Sequence, residues 1–87
     1  MKAFEPGSDT ATEWYEDALY VARLPGGPIV VLEGTAALTW TEACRDLPDT
    51  VAARVALRLN QDVADIAADI DVFIAGLVEQ GLLRAVR

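Results

Sequence analysis

Four consecutive residues, Pro25-Gly26-Gly27-Pro28, constrain this chain more than any other stretch. Proline fixes φ and lacks an amide hydrogen, while paired glycines favour left-handed backbone, so neither helix nor strand runs through them. The chain must reverse there. Beyond the reversal lie Ile29-Val30-Val31-Leu32, four apolar residues ended by Glu33-Gly34. Before it, Glu13 to Leu24 contains the run WYEDALYVARL, rich in aromatic and branched side chains and broken by the acidic pair Glu16 and Asp17. Glu13 to Leu24 reads as one or two strands with a turn at the acids, and the pattern predicts a hairpin between Leu19–Leu24 and Ile29–Leu32.

After Gly34 the apolar period lengthens. Thr35, preceding Ala36, Ala37 and Leu38, is placed to cap a helix running to about Asp46, and Leu47-Pro48-Asp49 stops it. Asp49 or Thr50 can cap a second helix over Val51–Leu59, where Val51, Val55 and Leu59 recur every four residues and Arg54 and Arg58 fall on the wet side. The third helix is the clearest. Ile66, Ile70, Phe73, Ile74, Leu77 and Val78 mark one face from about Asp62 to Gln80, Gly81 stops it, and Leu82-Leu83 can return to the core. Residues 1–12 mix Gly, Pro, Ser, Thr and acids, and read as a flexible N-terminal tail or loosely attached strand, leaving 13–87 as a single domain. Short strands cannot bury themselves alone. The expected fold class is therefore α+β and winged-helix-like, a small two- to three-stranded antiparallel sheet followed by three helices.

Composition narrows the chemistry. With 87 residues the chain is one small domain, and 53% hydrophobic residues suit a packed core. A net charge of −7 repels nucleic-acid phosphates and anionic lipid, so neither nucleic acid nor membrane is an expected partner. No basic region followed by an apolar stretch opens the sequence and no run approaches a membrane span, which reads as a cytoplasmic protein. Histidine is absent, Ser8 is the only serine, and the single cysteine, Cys44, has no imidazole to activate it, so an enzyme is not expected. Cys44 reads as a small buried helix residue, and neither a disulfide, a structural zinc nor a cofactor is expected.

Two blocks, Pro28-Ile-Val-Val-Leu-Glu-Gly-Thr-Ala-Ala-Leu-Thr-Trp40 and Asp65-Ile-Ala-Ala-Asp-Ile-Asp-Val-Phe-Ile-Ala-Gly-Leu-Val-Glu-Gln-Gly-Leu-Leu83, resemble the PqqD-like family across roughly residues 18–83. These are recognition domains for precursor peptides in the biosynthesis of ribosomally made, post-translationally modified peptides. Many relatives carry a polar residue near Val31, where this chain is apolar. The resemblance implies a non-catalytic adaptor. It would bind the leader region of a precursor peptide as an added strand, beside a long helix, and deliver it to a modifying enzyme (protease, cyclase or radical enzyme). Transferred residue by residue, the strand is Ile29, Val30, Val31 and Leu32, and the helix wall is Asp65, Asp69, Val72, Phe73 and Gly76. A lasso-peptide system is preferred over quinone-cofactor or radical-modified peptides.

Strand alternation places Val30 and Leu32 on one face and Ile29 and Val31 on the other. Asp62, Asp65 and Asp69 share a helix face, which reads either as a solvated surface or as a partner for leader cations. Arg54 and Arg58 read as intramolecular ion-pair partners or as a dock for acids of the enzyme, and Trp14 and Trp40 as core or hairpin packing. Two other classes compete. A winged-helix DNA-binding regulator suits the element order but not Asp65, Asp69 and Asp71 on the long helix. A small structural subunit, or homodimer, could use the apolar strand for self-pairing.

Overall fold

A computed structural model describes residues 3–45, 47 and 49–86. The order is β1 (Phe4–Pro6), β2 (Thr10–Tyr15), β3 (Ala18–Arg23), β4 (Ile29–Leu32), α1 (Thr35–Ala43), α2 (Val51–Leu59), α3 (Val63–Glu79) and β5 (Leu83–Ala85). This is a mixed α+β fold with two antiparallel sheets, β2-β3-β4 and β1-β5.

The turns form where the sequence places them. Tyr15 pairs with Ala18 across Glu16 and Asp17, with Glu16 in left-handed backbone at φ 54°. At the second reversal, the Gly27 amide donates to the Arg23 carbonyl at 2.8 Å, and the Arg23 amide donates to the Pro28 carbonyl at 3.1 Å. A Cβ on Gly27 would lie 2.5 Å from the Arg23 oxygen, so only glycine closes this turn as built.

Helix boundaries follow the capping chemistry with one correction. The Thr50 hydroxyl accepts from the Ala53 amide, and the Asp62 carboxylate from the Ala64 amide. Thr35, read as a cap, is instead the first residue of α1; Gly34 occupies the cap position at φ 56°, without a side-chain bond. The tight strand-to-helix turn needs left-handed backbone one residue before the hydroxyl, which glycine supplies without steric cost. That helix ends at Ala43, short of the expected limit near Asp46, which lies outside the described residues.

The core gathers Leu19, Val21 and Leu32 from the sheet, Trp40 from α1, Val55 from α2, and Ile70, Ile74 and Leu77 from α3. Leu82 and Leu83 return to it, as the sequence predicts. Of the two readings of residues 1–12, a tail or an attached strand, the described part from residue 3 onward follows the strand. Phe4–Pro6 pairs with Leu83–Ala85, Phe4 packs on the core, and Thr10 already belongs to β2. Bringing Phe4 under the end of α3 buries apolar surface that a free segment would expose.

Arg54 also departs from expectation. It is buried, not on the wet side, and its Nε donates to Glu42 Oε1 at 3.1 Å. Its remaining nitrogens donate to the carbonyls of Asp49 and Glu42. A guanidinium can occupy such a site because each of its three nitrogens has an acceptor, and removing either partner of a buried pair costs about 3 to 5 kcal/mol. This lock ties α1 to the start of α2.

Candidate functional site

The free edge of β4 is fixed by hydrogen-bond register. Residues facing each other across antiparallel strands alternate between pairs that exchange backbone bonds and pairs that do not. Arg23 and Pro28 are bonded, and the register runs Ala22 to Ile29, Val21 to Val30, Tyr20 to Val31 and Leu19 to Leu32. Val30 and Leu32 therefore turn their amides and carbonyls toward β3. Ile29 and Val31 turn theirs outward. The same logic holds on β2: Leu24 donates to Asp9, so Thr10, Thr12 and Trp14 carry that strand's outward backbone groups.

Side chains alternate on the perpendicular axis. Leu32 is buried and Val30 half-buried against the core, whereas Ile29 and Val31 are 71% and 46% exposed. That division matches the reading of the four residues in the sequence. Tyr20, opposite Val31, shares the outer face and is exposed, a neighbour that alternation along β3 could have identified. Two N–H and two C=O groups, flanked by two exposed branched side chains, thus point away from the sheet at one edge.

The long helix presents two flanks on either side of its buried line, Ile70, Ile74 and Leu77. At 100° per residue, Asp62, Asp65, Asp69, Phe73 and Gly76 fall on one flank, with Val72 further toward solvent. Asp71, Ala75 and Val78 fall on the other, where, with Phe4, Val51 and Ala85, they line an apolar hollow of about 630 Å³. Asp65, Asp69 and Val72 are exposed and Phe73 is half-buried on the core. A Cβ placed on Gly76 would meet nothing within 4 Å, so the space beside it is open.

The C-terminal end of α3 is anchored near the start of β4. Arg23 Nη1 donates to the Gln80 carbonyl at 3.4 Å, while the Arg23 backbone holds Pro28. Gly81, at φ 78°, takes the left-handed backbone that other residues adopt only with strain, and a Cβ there would also make the Arg23 guanidinium shift. Arg23 thus joins the helix end to the root of the open edge, a role that sequence reading did not assign. Val30 and Phe73 pack on the same core cluster. Ile29 to Leu32 and the Phe73–Gly76 flank are thereby tied to one framework, while Asp69 and Asp65 lie one and two turns further toward the helix start.

This arrangement can pair backbone with backbone and bury side chains. Among the described residues no cluster of three or more carboxylates and cysteines is placed to hold a metal ion, and Cys44 is half-buried on the core. Trp40 is buried, whereas Trp14 is 55% exposed on the hairpin. No helix of the described residues is long and apolar enough to cross a membrane. No protein-family model, no curated protein and no solved structure matches the chain.

Proposed function

We propose that the chain is a non-catalytic adaptor that binds the leader region of a ribosomal precursor peptide as a fourth strand on β4 and delivers it to a modifying enzyme. The observation that carries this reading is the outward register of Ile29 and Val31 on an uncharged edge strand. The resemblance of residues 18–83 to PqqD-like, winged-helix recognition domains points the same way. The work would be cytoplasmic, without cofactor, with a lasso-peptide system preferred.

Backbone pairing alone is too weak. The outward groups of Ile29 and Val31 can make four bonds, worth about 1 kcal/mol each, against roughly 1 to 2 kcal/mol for ordering each guest residue. Leader side chains must supply the difference, at about 1.5 to 3 kcal/mol for each fully buried Leu, Ile or Phe. They would lie against the Phe73–Gly76 flank, where the space beside Gly76 is open, and the exposed Asp65 and Asp69 would favour a leader with Lys or Arg toward the helix start. A DNA-binding role is disfavoured by those same exposed aspartates.

The test is amide hydrogen exchange with the leader of a short precursor encoded beside this chain. On binding, the Ile29 and Val31 amides become protected, while Val30 and Leu32 are protected already. A leader that binds with Ile29 and Val31 still exchanging freely would sink strand addition at this edge.

A further inference from the structure

Glu42 is nearly fully buried, yet three guanidinium groups address it. Arg54 takes Oε1 and is spent on the α1–α2 lock. Oε2 is shared by Arg45 at 3.3 Å and Arg58 at 3.7 Å, whose side chains remain 47% and 59% exposed. Each guanidinium carries five donors, so one contact to Oε2 leaves most of them facing water, and 3.7 Å is too long for a hydrogen bond. Arg45 and Arg58 are loosely held cations, and among the described residues Glu42 is the only carboxylate they pair with.

They border a hollow of about 230 Å³ whose lining also includes Leu47, Asp49 and Leu57. That volume is below the roughly 300 to 1,000 Å³ of small-molecule sites, but it admits a single side chain. Leu57 is 81% exposed, one helical turn from Arg54 and next to Arg58, so an apolar contact stands beside the cations. Among the described residues the lining sets three guanidiniums against two carboxylates in a chain of net charge −7.

We propose that Arg45, Arg58 and Leu57 form a docking pocket for an acidic segment of a partner protein, one Asp or Glu between the guanidiniums and an adjacent apolar residue on Leu57. The occupant is a protein other than the leader, since Asp65 and Asp69 select a cationic leader. Opposite signs at the two places keep the guests apart. Identifying this protein as the modifying enzyme rests on the adaptor reading; the chemistry of the pocket does not.

The probe is the peptide acetyl-Ala-Leu-Asp-Glu-Leu-amide, titrated into the labelled protein while the arginine Nε–Hε signals and leucine methyls are followed. The Arg45, Arg58 and Leu57 signals should move, and raising salt should weaken binding. The double variant Arg45→Gln/Arg58→Gln, which keeps the Glu42–Arg54 pair, should lose about tenfold in affinity. If that variant does not fold, the salt series and the Asn-Gln version of the peptide, which should not bind, decide the matter in the wild-type chain. Unmoved Arg45 and Arg58 signals, undiminished binding by the folded variant, or inorganic phosphate binding as tightly as the peptide would each overturn the proposal. Leader binding at β4 is measured on the same folded variant and should be unchanged; loss of leader binding everywhere, with the acidic peptide still bound, would strike the adaptor reading alone.

Discussion

The three-stranded sheet has two edges, and they are built differently. β2 presents Thr10-Ala-Thr-Glu-Trp-Tyr15, with the exposed charge of Glu13 and two threonines along it. β4 presents Ile29-Val-Val-Leu32, with no polar side chain. Natural sheets commonly guard edges with charge, and an apolar edge left unguarded invites another strand. The contrast teaches that edge exposure alone does not mark a binding strand. Both edges carry outward backbone groups and both are tied to the end of the long helix, β4 through Arg23 and β2 through the Thr10 hydroxyl, which donates to the Gly81 carbonyl at 3.5 Å; only β4 lacks a charge.

The largest effects should come from proline on β4. Val31→Pro removes an outward donor and should leave the melting temperature close to wild type while weakening leader binding at least about a hundredfold, near 2.7 kcal/mol, by fluorescence anisotropy. Val30→Pro removes a donor to β3 and should instead lower the melting temperature. If both variants behave alike, the assigned register is wrong.

Gly76→Ala comes next. The open space beside Gly76 accommodates the methyl group, and replacing glycine inside a helix should raise stability by about 0.5 to 1 kcal/mol in a denaturant titration. A guest strand lying against that flank would lose affinity, so stability and binding should move in opposite directions. Unchanged affinity would remove Gly76 from the site. Asp69→Asn should have a smaller effect, a few-fold weakening at low salt that fades as ionic strength rises, because exposed pairs contribute about 0.2 to 1 kcal/mol. The smallest effect belongs to the other edge: Thr12→Pro removes an outward donor on β2 and should leave leader affinity unchanged. A large loss there would move the binding strand to β2.

Much of this was legible in the sequence because it is local. The Pro25–Pro28 reversal, the alternation of Ile29–Leu32 and the period of α3 each sit within one short window, and all three elements form where expected. What escaped is long-range. β1 and β5 are three-residue strands far apart in sequence, too short to carry a period, and the pairing of Phe4 with Ala85 leaves no signal in any local window. Arg54 looked solvent-facing because it shares a helix face with Arg58, and its partner Glu42 lies on another helix. Of the candidate site, the inward and outward sets on β4 followed from pleat alone. Which amides face out required the Arg23–Pro28 bond, which no local pattern specifies.

The pairing of Phe4–Pro6 with Leu83–Ala85 has a consequence for joining this domain to another protein. Antiparallel neighbours bring the front and the back of the fold to a shared corner, about 5 Å apart. A cargo or catalytic module grafted before Phe4 or after Ala85 would thus hang from nearly the same spot, so gene order could be exchanged with little change in where the tether is rooted.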